Sequence, residues 1–69
     1  MSLKKFLEFI KADEIISIYA PVENVYIQLE IFKENIKDEY LDYKVIGIET
    51  NYDSGYNPTI EINVSRPEV

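Results

Sequence analysis

The sequence predicts an α+β fold in which an N-terminal helix packs on one face of a four-stranded antiparallel sheet, in the order α-β-β-(short α)-β-β. Two observations support this prediction. Four short segments alternate apolar and polar residues with a period of two and in the same phase, and an amphipathic stretch with helical spacing precedes them. A sheet with one apolar and one polar face needs a single covering layer, and the helix can supply it.

The helix is predicted over residues 3–11. Leu3, Phe6, Leu7 and Ile10 recur at helical spacing, with charged residues between them. Ser2 precedes this stretch and is suited to be its N-cap, because its hydroxyl can accept a hydrogen bond from an N–H group of the first turn.

The four strands are predicted over residues 15–20, 25–32, 44–50 and 59–64, joined in two hairpins. Their alternation assigns one set of residues to the buried face: Ile16, Ile18, Ala20, Val25, Ile27, Leu29, Ile31, Ile46, Ile48, Ile60, Ile62 and Val64. The opposite set belongs to the polar face: Ser17, Tyr19, Tyr26, Gln28, Glu30, Glu49, Glu61 and Asn63. Gly47, in the middle of the third strand, indicates a bulge or close packing on the polar face.

The connection between the two hairpins changes period. Ile36, Tyr40 and Leu41 are spaced as on a helical turn, which predicts a short helix near residues 37–42. After the fourth strand, residues 65–69 are predicted to form a frayed tail.

Length and composition limit the class of protein. The 69 residues are predicted to form one domain, residues 1–69, near the lower size limit at which a hydrophobic core alone sustains a fold. A second copy could add to its stability, so a homodimer is one of the states considered. The absence of cysteine fits a reducing compartment, and no apolar run approaches the ~20 residues of a membrane span, so a cytoplasmic location is expected. A net charge of −6 predicts that the chain does not bind nucleic acid directly.

The residue types available for catalysis are few. The chain has neither histidine nor cysteine, which removes the usual general bases and nucleophiles at neutral pH, so no enzyme activity and no cofactor are predicted. Asn51, Asp53, Ser54 and Asn57 offer side-chain oxygens of the kind that bind calcium. They lack the repeated acidic positions and the closing glutamate of an EF-hand calcium site. A hairpin turn is the preferred interpretation, and no metal site is predicted.

Two groups of residues are candidate partner contacts. The first is acidic and lies in the connection between the hairpins: Glu34, Asp38, Glu39 and Asp42. It is either a solvated helix face or an acidic ridge that docks on a basic surface. The second comprises Tyr52 and Tyr56, which flank a turn and are suited either to an interface or to packing within the loop.

Three segments of the chain carry a resemblance to a known group. Residues 3–10, residues 14–19 and the acidic stretch 38–48, which enters the third strand, resemble small uncharacterised proteins of phages and mobile elements in low-GC Gram-positive bacteria. The resemblance implies an accessory protein that binds a host protein; some members of that class block nucleic-acid-binding sites by imitating the phosphate backbone.

The leading hypothesis is therefore a non-enzymatic, acidic protein-interaction module that binds and modulates a basic host protein. The alternative is a structural homo-oligomer that assembles through the sheet face or a strand edge. A small-molecule binder with a pocket between helix and sheet is a third hypothesis, which the isoleucine-rich core disfavours because well-packed branched side chains leave few voids.

Overall fold

The computed structural model describes residues 1–52 and 58–67, with residues 51 and 52 described as backbone only. Its elements are the helix α1 (Leu3–Leu7), the strands β1 (Ile15–Ala20), β2 (Val25–Ile31), β3 (Lys44–Tyr52) and β4 (Pro58–Ser65), and two 3-10 turns, Lys33–Asn35 and Asp38–Tyr40. The four strands form one sheet, which confirms the predicted α+β class.

The N-terminal helix is capped as predicted but is shorter than expected. The Ser2 hydroxyl accepts a hydrogen bond of 3.2 Å from the N–H of Lys5. After Leu7 the chain continues in tighter turns, in which the Ile10 N–H donates to the Leu7 carbonyl three residues back. These turns still bury Ile10, so the apolar spacing that predicts a helix to residue 11 describes a helix followed by turns.

The strand order is β2-β1-β4-β3, and the sheet is mixed. Both hairpins are antiparallel, as predicted, but the central pair, β1 and β4, is parallel, so the prediction of a purely antiparallel sheet is wrong. The cause is the route of residues 32–43. They carry the chain from the end of β2 to the far end of the sheet, and β3 therefore runs parallel to β2.

Residues 32–43, the crossover, do not contain the helix predicted near residues 37–42. Instead, Ile36 and Lys37 are extended and separate the two 3-10 turns. The Gln28 side chain stabilises this break, because it donates to the carbonyl of Asn35 at 3.3 Å and accepts from the N–H of Lys37 at 3.1 Å. The extended conformation lets Ile36 enter the core, where it is 6% exposed.

The core lies between the sheet and a layer made of α1 and the crossover. The central strands supply its middle, and the N-terminal segment and Ile36 cover it. Its buried members are Leu3, Leu7, Ile10, Ile16, Ile18, Ile36, Ile62 and Val64. We call this side of the sheet the covered face, and the opposite side the open face.

Bulges in the two edge strands change the predicted faces of three residues. In β2, Tyr19 stands opposite Tyr26 and Ile18 opposite Gln28, so β2 has one extra residue between these pairs. Gln28 therefore turns to the covered face, where its side chain contacts the crossover, and Leu29 turns to the open face. The predictions that Gln28 belongs to the polar face and Leu29 to the buried face are wrong.

A bulge in β3 has the same effect on one residue. The register shift between Val45 and Gly47 turns Ile46 to the open face. The prediction that Ile46 belongs to the buried face is therefore wrong.

Two further residues of the predicted buried set keep their face but are not buried. Val25 stands opposite the buried Ala20, and Ile48 stands opposite the buried Ile62. Both lie in edge strands, and both are exposed. The short helix and the crossover cover the middle of the sheet but not these two positions.

The last described residues extend the sheet beyond the prediction. Ser65 was expected in a frayed tail but is the last residue of β4. Arg66 follows it, and its Nε donates to a carboxylate oxygen of Glu23, in the turn of the first hairpin, at 3.1 Å. Residues 68 and 69 lie outside the described residues.

Candidate functional site

The open face carries a mixed apolar and acidic surface that the described residues do not cover. Strand pairing places Tyr26 beside Tyr19 on one row, and Ser17, Glu61 and Glu49 side by side on the next. The bulge in β2 adds Leu29, which is 58% exposed, to this second row.

A tyrosine pair forms one side of this surface. The rings of Tyr19 and Tyr26 lie 4.7 Å apart between centroids, at an interplanar angle of 50°. The Tyr19 hydroxyl donates to the side-chain oxygen of Asn24, in the turn between β1 and β2. The two tyrosines therefore lie on the polar face, as predicted, and their rings contact each other across the first hairpin.

The Glu61 carboxylate is buried, although the sequence predicts this side chain on the solvent-exposed polar face. It is 7% exposed, because the Tyr26 side chain extends over it and donates a hydrogen bond of 2.5 Å to its Oε1. This hydrogen bond, with lesser contributions from desolvation and nearby charges, raises the pKa of Tyr26 above its usual value. Tyr26 itself remains 45% exposed, so a partner can contact the outer side of its ring.

Two like charges lie next to each other on the open face. Glu49 on β3 stands directly opposite Glu61 on β4. Opposed like charges on neighbouring strands are unfavourable, and no ion pair between described residues involves either carboxylate. The open face thus carries concentrated negative charge beside exposed apolar side chains.

Gly47 and Asn63 form the end of the tyrosine row. Of the two alternatives predicted for Gly47, the bulge is confirmed by the register shift between Val45 and Gly47, whereas a Cβ atom at Gly47 would lie 3.4 Å from Nδ2 of Asn63, an ordinary van der Waals contact. The Asn63 Oδ1 is buried and has no hydrogen-bond partner among the described residues. Sequence reasoning missed this feature, because it depends on how closely the two strands approach at the bulge.

The acidic residues of the crossover are all exposed but do not form the ridge that a helix would give. Glu34 lies in the first 3-10 turn, Asp38 and Glu39 in the second, and Asp42 just after it. The extended residues between the turns remove the four-residue helical spacing that would align Glu34 with Asp38. Hydrogen bonding with the Glu39 carboxylate is the main cause that raises the pKa of Tyr40.

Lysines also lie within and beside the acidic run. One of them, Lys33, has a structural contact: its ammonium group donates to the carbonyls of Ile10 at 2.7 Å and Leu7 at 3.3 Å, at the end of the helical segment. It lines a surface groove of about 310 Å³ between α1 and the crossover, with Leu7 and Leu41 among the other lining residues. The groove lies beside the helix, not between helix and sheet as the small-molecule hypothesis requires.

The predicted tyrosine contacts of the second hairpin lie outside the described part of the chain. The backbone of Tyr52 ends β3, but its side chain and all of Tyr56 fall outside the described residues, as do Asp53, Ser54 and Asn57. Interface contact by Tyr52 and Tyr56 therefore stays a prediction.

Comparison with protein-family models, curated proteins and solved structures finds no match to the chain. Within residues 1–52 and 58–67, no cluster of three or more acidic side chains could hold a metal ion. No helix in this part of the chain is long and apolar enough to cross a membrane.

Proposed function

We propose that this protein is a non-enzymatic interaction module that binds a basic surface of another protein through the open face of its sheet. The observation that carries the proposal is the composition of that face: Glu49 and Glu61 lie side by side, and the exposed side chains of Tyr26 and Leu29 lie on the same face. A surface of this kind fits a partner that offers lysine or arginine together with apolar side chains.

The geometry supports direct contact, because Tyr26, Leu29 and Glu49 are exposed, whereas Glu61 lies beneath Tyr26 and holds it in place. Tyr26 is fixed by its hydrogen bond to Glu61 and by its ring contact with Tyr19, and it loses little conformational freedom when a partner covers it. Aromatic anchors of this kind are enriched among the residues that dominate binding energy.

Electrostatics favour a basic partner over a second copy at this face. Two open faces stacked on each other would bring Glu49 and Glu61 of one molecule against the same carboxylates of the other. A cationic side chain would instead relieve the repulsion between the two glutamates, and the net charge of −6 would attract such a partner over a longer range.

The acidic residues of the crossover are the second candidate contact, and they belong to the other side of the molecule. Glu34, Asp38, Glu39 and Asp42 are exposed, and no ion pair between described residues involves them. Three lysines, at positions 33, 37 and 44, lie in or beside the same segment and reduce its net charge to −1 over residues 33–44. We therefore place the primary contact on the open face and an auxiliary one on the crossover.

The resemblance to small phage and mobile-element proteins supports the same class of function. We propose an accessory protein that modulates a basic host protein, and the chain's lack of histidine and cysteine fits a role without catalysis.

The experiment is affinity capture from a low-GC Gram-positive bacterial lysate at two salt concentrations, with four forms of the protein. Glu49→Lys changes the open face, and the triple charge reversal of Asp38, Glu39 and Asp42 changes the crossover. Glu8→Lys is the control for Glu49→Lys, because it makes the same change of charge at an exposed residue just after α1.

A basic protein that binds the wild type and Glu8→Lys, is lost with Glu49→Lys and is released by high salt would support the proposal. Loss only with the triple reversal would move the site to the crossover. Equal retention of the captured protein by all four forms would refute both sites. The melting temperature of each variant, compared with that of the wild type, distinguishes a loss of binding from a loss of fold.

A further inference from the structure

β3 is an edge strand whose outer side is only partly paired. The N–H of Val45 donates to the Met1 carbonyl at 2.9 Å, and the N–H of Leu3 donates to the Tyr43 carbonyl at 2.7 Å. Ser2 and Lys44 form an antiparallel bridge between these bonds. The N-terminal residues thus already show that this edge accepts an antiparallel strand, but they occupy only its first part.

The remainder of β3 forms a regular free edge. From Ile48, opposite Ile62, to Tyr52, opposite Pro58, its pairing with β4 is unbroken. No strand of the described residues pairs with the outer side of residues 48–52. A straight edge of unpaired backbone groups is a template for another strand.

The opposite edge of the sheet is not a comparable template. β2 contains two register shifts, and Glu30 within it has a positive φ of 48°. Bulges bend and twist a strand and interrupt its regular donors and acceptors, so they protect an edge from pairing. Only β3 is suited to add a strand, and an assembly through it would stop at two copies.

The free edge also leaves an apolar side chain of the covered face exposed to solvent. Ile48 stands opposite the fully buried Ile62 on the covered face, yet it is 50% exposed, because no described strand lies beyond this part of β3. A strand added at this edge would cover Ile48.

From these features we propose that the β3 edges of two copies pair antiparallel about a two-fold axis at Thr50, forming one eight-stranded sheet. This assembly is distinct from the proposed contact on the open face, which it leaves accessible. The register follows from charge and from the bonds already present. An axis at Glu49 would oppose two like charges, and an axis at Ile48 would place a second strand against Val45, whose N–H already bonds to Met1.

With the axis at Thr50, Glu49 no longer stands opposite Glu49 of the second copy, because position 49 then pairs with position 51, which is not charged. The paired backbones of residues 48–52 also lie beyond the part of β3 that the N-terminal residues occupy.

The test is disulfide trapping, which is unambiguous because the chain contains no cysteine. In Thr50→Cys, the two cysteines would lie on the axis, with Cα atoms about 4.5–5.5 Å apart, within the range of a disulfide. Glu49→Cys, one position off the axis, and Leu29→Cys, on the protected edge, are the controls. We expect at least about tenfold more covalent dimer from Thr50→Cys than from either control under the same mild oxidation.

Light scattering at high protein concentration provides an independent measurement. The wild type and Leu29→Lys should have twice the monomer mass, and Ile48→Lys, which adds a charge to the free edge, should be monomeric. A monomeric wild type, equal trapping at positions 50 and 29, or an Ile48→Lys protein that remains dimeric would overturn the proposal. Stronger trapping at position 49 than at position 50 would overturn the register.

Discussion

Lys33 provides the sharpest test of how the short helix is held in place. Its ammonium group donates to the carbonyls of Ile10 and Leu7, at 2.7 and 3.3 Å, where the helical segment ends. In Lys33→Met the aliphatic stem remains but both hydrogen bonds are lost. A hydrogen bond to a charged group contributes roughly 1.5–3 kcal/mol, and the half-buried position and the long second contact favour a total near the lower end, about 2 kcal/mol.

A loss of about 2 kcal/mol is large for a chain of this size, whose free energy of unfolding is expected to be about 3–10 kcal/mol. It should lower the melting temperature by roughly 8–16 °C, since about 1 kcal/mol corresponds to 4–8 °C in a domain of 60–100 residues. The assay is thermal unfolding followed by circular dichroism, with urea unfolding as a check on the free energy.

Lys37→Met is the matched control, because Lys37 is an exposed lysine of the same crossover and its side chain makes no hydrogen bond to a described residue. Its melting temperature should stay within a few degrees of the wild type. If the two variants unfold alike, the ammonium contacts of Lys33 do not stabilise the fold, and the account of how the crossover holds α1 is wrong.

Three further predictions test other contacts. Tyr26→Phe should lower the melting temperature at neutral pH, because it leaves the buried Glu61 without its hydrogen-bond donor. The folded pKa of Tyr26 is raised, so this stabilisation is present below pH 10 and is lost as the pH rises through the folded pKa. The melting temperatures of the variant and the wild type should therefore converge at alkaline pH. Ile36→Ala should lower the free energy of unfolding in urea by about 2–5 kcal/mol, because Ile36 is buried in the core. A loss of less than about 0.5 kcal/mol would indicate that the side chain is exposed to solvent. Glu30→Gly should stabilise the protein by about 1 kcal/mol through relief of a positive φ, and a destabilised variant would show that the β2 bulge needs its side chain.

The strands and their faces could largely be predicted from the sequence, because period-two alternation is a local property. It predicts β1 and β4 well, and Ile16, Ile18, Ile62 and Val64 are all buried. The direction of the second hairpin is not local. Twelve residues separate β2 from β3, enough to span about 40 Å when extended, so they can return to either end of the sheet.

The candidate site could be predicted only in part, for a related reason. Tyr19, Tyr26, Glu49 and Glu61 follow from the alternation, but Leu29 reaches the open face only through a bulge. Nothing in the residues around Leu29 predicts a bulge, because Glu30 is not a residue that favours positive φ. In the crossover, by contrast, the sequence predicts a feature that the structure lacks. The spacing of its acidic residues predicts a ridge on a helix, but the hydrogen bonds of Gln28 and the burial of Ile36 interrupt the helix that would align these residues.

The most direct test of the central claim, that the open face binds a basic protein, is site-specific photo-crosslinking from position 29 in bacterial lysate. Val22, highly exposed in the first hairpin turn, is the control position. We expect an adduct with one basic protein from position 29 but not from position 22, and high salt and Glu49→Lys should each weaken it. The absence of any adduct from position 29, or an adduct that salt and Glu49→Lys leave unchanged, would contradict it.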